Sequence, residues 1–183
     1  GEMHGDTVFD AFENIGTEGM MSMDGGSMAG MFDAMGPEHL GEIGGDQMFD
    51  MVGNMSGDNF SAMGSDSAFG MFDTMGSDVV MGLEGDQLAG MFGAMEHDQI
   101  GHMEGGMVFD VFQSMGTEGM MSMDGDSMAG MFDAMGPDNF GGIGDVDMFE
   151  MAGAMSGDNF AAMGSDSAFG MFETMGADMA GAL

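Results

Sequence analysis

An acidic side chain recurs every 20 residues along this chain, at Glu18, Glu38, Asp58, Asp78, Asp98, Glu118, Asp138, Asp158 and Asp178. A column of carboxylates is what a hard cation such as Ca²⁺ binds, since such ions are held by oxygen. The column has a plainer use as well. Each acid stands where a short helix would begin, and an acid in a first helical turn is favoured by the helix dipole by about 0.3–1 kcal/mol. Helix capping is therefore the expected role, and diffuse Ca²⁺ binding is the functional alternative. No cofactor other than that ion is suggested.

A second column runs through Ile15, Met35, Met55, Met75, Met95, Met115, Met135, Met155 and Met175. Thioethers suit soft ions such as Cu(I), but an alkyl group cannot ligate, and Ile15 occupies one place in the column. The expected role is core packing, with flexible Met filling gaps beside Phe32, Phe72, Phe92, Phe132 and Phe172. Met20, Met21 and Met23, with their copies Met120, Met121 and Met123, form the densest thioether clusters.

His97 and His102, near Glu96, Asp98 and Glu104, are five residues apart, which misses the i, i+4 spacing of a helical ligand pair. The DGGS and DGDS turns at Asp24 and Asp124 resemble the start of a calcium loop. Met35 and Met135 stand where the closing bidentate acid would be, so these are not EF-hands. The chain has no Cys and no Lys to serve as a nucleophile, and no carboxylate pair is set apart for acid and base work. No enzymatic activity is expected.

Composition narrows the partners. The chain holds 33 Asp and Glu against no Lys or Arg, a formal net charge of −33 at pH 7. Nucleic acid is excluded, because phosphate binding depends on basic side chains, and anionic membrane surfaces are excluded for the same reason. No apolar run approaches the roughly 20 residues that span a bilayer. At 44% hydrophobic residues the chain is too apolar for the acidic disordered class, so a packed structure is expected.

These columns belong to nine consecutive 20-residue units, beginning at Val8, Met28, Met48, Ala68, Leu88, Val108, Met128, Met148 and Ala168. In the unit Ala68 to Gln87, the residues Ala68, Met71, Phe72 and Met75 fall on one helical face. Gly76 reads as a left-handed residue ending that helix, with Ser77 as N-cap and Asp78 in the first turn of a second, shorter helix. Val80 and Leu83 point inward from it, Gly85 closes it, and Asp86 reads as the next N-cap. Pro37 and Pro137 open the second helix of their units, where a missing N–H costs nothing.

The pattern predicts an all-α fold, a solenoid of nine 20-residue αα-hairpin repeats uncapped at both ends. A β-solenoid is the competing architecture. It is disfavoured because Val, Ile and Thr are sparse and the apolar period is near 3.6 rather than 2. Short helices are unstable alone, so stability is expected to come from stacking. Residues 1–7 form a partial N-terminal repeat and 8–183 a single repeat domain, in which the five-repeat block 8–107 is partly duplicated as 108–183.

The first and last residues fall at nearly the same phase of the repeat, with Met3 at the position of Leu183. Head-to-tail stacking would hide both ends, and a heterologous contact of that kind gives a fibre unless it closes into a ring. The expected assembly interface comprises Met3, Val8, Phe9, Phe12, Met171, Phe172, Met175, Met179 and Leu183. The expected function is an exported structural protein that polymerises with itself into extracellular filaments or matrix, an export signal having been removed ahead of Gly1. The alternatives are a protein that sequesters Ca²⁺ through its acids or Cu(I) through Met, and a ligand-binding solenoid.

Overall fold

The computed structural model describes residues 5–181, and among them every regular element is helical. The chain falls into two compact units, Gly1–Met95 and Glu96–Leu183, where the repeat pattern anticipates one continuous array. The first contains α1 (Gly5–Met21), α2 (Gly25–Met35), α3 (Pro37–Leu40), α4 (Gly45–Val52), α5 (Gly57–Ser61), α6 (Ser65–Met75), α7 (Ser77–Val80) and α8 (Gly85–Ala94). The second contains α9 (His97–Gly101), α10 (Gly105–Ser122), α11 (Gly125–Met135), a 3₁₀ turn (Pro137–Gly142), α12 (Asp145–Ala154), α13 (Gly157–Ala162), α14 (Ser165–Met175) and α15 (Ala177–Ala180).

Long and short helices thus alternate with the 20-residue period. Helices α1 and α10 obey the same rule, since each is two helices joined across a kink, at Gly16 and Gly116. The joint between long and short helix takes two forms. At Gly76 the backbone has φ 75° and ψ 159°, outside the left-handed helical well expected there and in a region that essentially only glycine enters. Its N–H donates to the Phe72 carbonyl at 2.9 Å, and Ser77 becomes the first helical residue instead of the cap. At Ser56, Glu96 and Ser156 the backbone is extended, and a capping box closes the joint.

The short-to-long joint also departs from expectation. Gly85 opens α8 rather than closing α7, and the cap is Glu84, whose N–H donates to Gln87 Oε1 at 2.9 Å. Asp86 lies in the first turn of the helix. The reason is local: Gln87 reaches back to the Glu84 backbone, which fixes the start of the helix two residues earlier than Asp86 would.

The Met column forms the core. Met35, Met55, Met75, Met95, Met115, Met135, Met155 and Met175 are all buried, as are Val80 and Leu83. Phe32, Phe60, Phe92, Phe132 and Phe140 are its largest fully enclosed side chains. Such Met and Phe contacts suit irregular spaces between short helices.

Adjacent helix pairs touch, but the closest packing skips a pair. Short helix α3 lies on α6, α5 on α8, α9 on α11, and the 3₁₀ turn on α14. Each approach is made at a mid-helix glycine. A Cβ on Gly70 would stand 2.9 Å from Pro37 Cβ, one on Gly130 would stand 3.0 Å from His97 Cα, and one on Gly170 would stand 2.5 Å from Pro137 Cβ. A Cβ on Gly90 would collide with the Gly57 backbone. The two partners are always 33 residues apart, as Pro37 is from Gly70. Where the same helical position carries Asp10, Asp50, Asp110 or Glu150, the side chain is exposed.

Candidate assembly surface

The two units repeat one another at an offset of 100 residues, so equivalent positions can be compared directly. Ser56 and Ser156 head equivalent capping boxes. The Gly64 N–H donates to Asp33 at 2.9 Å, and the Gly164 N–H to Asp133 at 2.8 Å. Thr74 and Thr174 each donate a hydroxyl to the carbonyl four residues earlier. These backbone and polar contacts are preserved between the blocks.

One apolar face is not treated alike. In the first unit, Phe60 is fully enclosed and Phe72 is 9% exposed. Helix α8 packs on both α5 and α6, and its Phe92 ring meets Phe72 edge to face at 5.7 Å. In the second unit, Phe160 is half-buried, Phe172 is 39% exposed and Phe169 is 63% exposed. Phe160 and Phe172 stack on each other at 5.8 Å, with an interplanar angle of 18°. A face that α8 covers in one unit is open in the other.

The first helix pair has an opening of its own. Ile15 is 46% exposed, although its column mate Met35 is 3% exposed. Thr7 and Ala11, two turns and one turn before Ile15, are also exposed. Gly30, in the middle of α2, is exposed, and a Cβ built on it would meet nothing within 4 Å.

The residues expected at the interface divide. Val8, Phe12, Met171 and Met175 are buried inside their own unit and offer no surface, because the helical face that carries them packs inward. Phe9 and Met179 are half-buried and Phe172 is exposed, while Met3 and Leu183 lie outside the described residues. Ile15, Gly30 and Phe169 are exposed and Phe160 is half-buried, and the repeat pattern does not single them out. Their apolar faces follow the same helical periodicity as buried ones, so periodicity alone does not separate them. A usable signal is the alternation of Gly with Asp or Glu at the sixth position of the long helices: another helix comes close at Gly70, Gly90, Gly130 and Gly170, though not at Gly30.

The nine acids Glu18, Glu38, Asp58, Asp78, Asp98, Glu118, Asp138, Asp158 and Asp178 are all exposed at the beginnings of short helices. Among the described residues, no three ligating side chains of the His, Asp and Glu type come together as a metal site. Met20 and Met120 are buried, while Met21 and Met121 are each 45% exposed.

With no Lys or Arg, the side chains that form ion pairs with carboxylates among the described residues are histidines, which carry charge only when protonated. His39 Nε2 lies 3.0 Å from Asp6 Oδ1, and its Nδ1 lies 3.5 Å from Glu42 Oε1. His97 Nε2 lies 2.9 Å from Asp133 Oδ2, and His102 Nδ1 contacts the Asp98 carbonyl. His97 and His102 are thus engaged separately. Asp24, the N-cap of α2, accepts from the Ser27 N–H at 2.9 Å and the Ser27 hydroxyl at 2.8 Å. Those two bonds, the backbone one foremost, hold its carboxyl below the usual range.

Among the described residues no helix is long and apolar enough to cross a membrane. Set against protein-family models, curated proteins and solved structures, the chain matches none of them.

Proposed function

We propose that this chain is an exported structural protein, a solenoid of nine αα-hairpins that joins head to tail with its own copies into extracellular filaments or matrix and catalyses no reaction. The observation that carries this reading is the regular alternation of long and short helices at a 20-residue period, with the Met column buried in the core.

Two further features support it. Packing of a short helix on a glycine 33 residues further on recurs twice in each unit, which suits a stack that extends by repetition. A five-pair block whose first four pairs recur nearly unchanged also favours lattice-like use over a single ligand groove. Charge supplies control: copies carrying −33 each repel one another near neutral pH, so association is favoured by acid, by salt or by divalent cations that screen or neutralise carboxylates.

Light scattering and negative-stain electron microscopy test the proposal, with pH lowered toward the carboxylate pKa values near about 4 and with NaCl or CaCl₂ added at neutral pH. Growth of linear particles under any of these conditions is expected. A chain that remains monomeric under all of them overturns it.

A further inference from the structure

Two Asn-X-Ser tripeptides lie in the first unit, Asn54-Met55-Ser56 and Asn59-Phe60-Ser61. This is the acceptor pattern for N-linked glycosylation, in which a sugar is attached to the carboxamide nitrogen of an Asn followed two positions later by a hydroxyl residue. Such a site has to end on the surface, because the attached group is bulky and hydrated. The second unit has neither pattern, since Ala154 stands in the place of Asn54 and Ala161 in the place of Ser61.

The structure separates the two tripeptides. Asn54 is exposed in the turn between α4, which ends at Val52, and α5, which begins at Gly57. Asn59 is half-buried in the first turn of α5, and its carboxamide is already engaged. Its Oδ1 accepts the Ser56 N–H at 2.9 Å and the Ser56 hydroxyl at 3.1 Å, and a Cβ built on Gly25 would collide with that same oxygen. The equivalent Asn159 shows what lies on the nitrogen side: its Nδ2 donates to Asp126 Oδ1, in the first turn of α11, at 2.9 Å. A sugar on Asn59 would therefore be wedged between α5 and α2, which pack on each other. A sugar on Asn54 leaves that contact and the α5 cap alone.

We infer that Asn54 carries an N-linked oligosaccharide and that Asn59 stays unmodified. The site rests on the export proposed above, because the donor, a lipid-linked oligosaccharide pyrophosphate, is used on chains that enter the export route. In the transfer the bond from the first sugar's C1 to the pyrophosphate oxygen breaks, and C1 bonds to Asn54 Nδ2. The lipid pyrophosphate leaves with the bonding electron pair, and the amide gives up one proton. A bulky hydrated group at this turn keeps other copies away from it. In a filament the α4–α5 turn then lies on the outer surface, and the first unit is marked where the second, with Ala154, is not.

Peptide mapping by mass spectrometry of the full chain, recovered separately from its own cells and from the surrounding medium, tests the site. Glutamyl endopeptidase does the cutting, because trypsin has no Lys or Arg to cleave at. The secreted chain is expected to carry an oligosaccharide on Asn54 that peptide N-glycosidase releases, and none on Asn59. Asn54→Ala, which puts there the residue that the second unit has at Ala154, is expected to lose all of the added mass and keep its helical circular dichroism. A secreted chain with a bare Asn54 overturns the site and leaves the export reading standing. So does a sugar on Asn59, alone or beside one on Asn54, or a sugar that persists in Asn54→Ala. If the chain never leaves the cell, the export reading falls and the site falls with it.

Discussion

Gly57 and Gly90 meet backbone to backbone, so that α5 crosses α8 with no side chain between them. The same two residues show what the glycines inside these helices do. They do not end helices. They remove the Cβ that would hold the crossing helix away, and the cost in helix propensity is offset by the apolar contacts that close around the crossing.

Opposite signs are expected for one substitution at two equivalent glycines. Gly90→Ala forces a Cβ into the Gly57 backbone, an overpacked crossing that costs about 1–3 kcal/mol. Gly30→Ala puts the same methyl into open space on an exposed helix and gains about 0.5–1 kcal/mol in helix propensity. Urea denaturation followed by circular dichroism measures both. Equal effects at the two sites would refute the crossing geometry.

The alternation of long and short helices was legible because it rests on local rules. Met71, Phe72 and Met75 mark a helical face, Val80 and Leu83 mark the next, and all five are buried. Which helix covers which face was not legible in that pattern. Periodicity says that Phe72 must be covered, but it does not say that α8 does it or that Phe172 is left open. Gly70 and Gly90 look like punctuation in a sequence so rich in glycine, and only their helical surroundings mark them as crossing points. The start of α8 lies two residues before a cap at Asp86 because a Glu84 and Gln87 capping box sets it there.

Gln87 makes a second test of how the pairs are tied together. It is buried, and its amide nitrogen donates to the Val52 carbonyl at 3.2 Å and to the Met55 carbonyl at 2.6 Å, while its oxygen caps Glu84. Gln87→Leu keeps the volume but leaves those backbone groups without this partner. A loss of about 1–3 kcal/mol is expected, the usual cost of stranding buried polar groups. Thermal or urea unfolding would measure it, and a neutral result would mean that water or another donor reaches those carbonyls.

Asp24 gives a pH dependence whose sign can be worked out. Its carboxyl is held below its ordinary pKa by the Ser27 N–H and hydroxyl, so the folded state favours the charged form. That contribution is fully present above the ordinary carboxylate pKa and is lost as pH falls through the depressed one. Asp24→Asn retains a capping side chain without the charge. The stability difference between wild type and variant should therefore shrink on acidification, even as protonation of the other carboxylates relieves repulsion in both proteins. A difference that stays constant with pH would remove Asp24 as a charged cap.

The two units offer a matched pair for the open face. Phe72 is enclosed and meets Phe92, so Phe72→Ala leaves a cavity between α6 and α8 and should cost about 3–5 kcal/mol. Phe172 is 39% exposed and its ring stacks on Phe160, so Phe172→Ala removes far less buried surface and should cost distinctly less in the isolated chain. The order reverses for association, because Phe172 lies on the face that a second copy would cover and Phe72 does not. Unfolding curves on dilute monomer give the first comparison, and sedimentation under assembling conditions gives the second. Phe172→Ala should weaken assembly while leaving the monomer nearly as stable as before, and equal assembly of wild type and Phe172→Ala would take the aromatic face out of the interface.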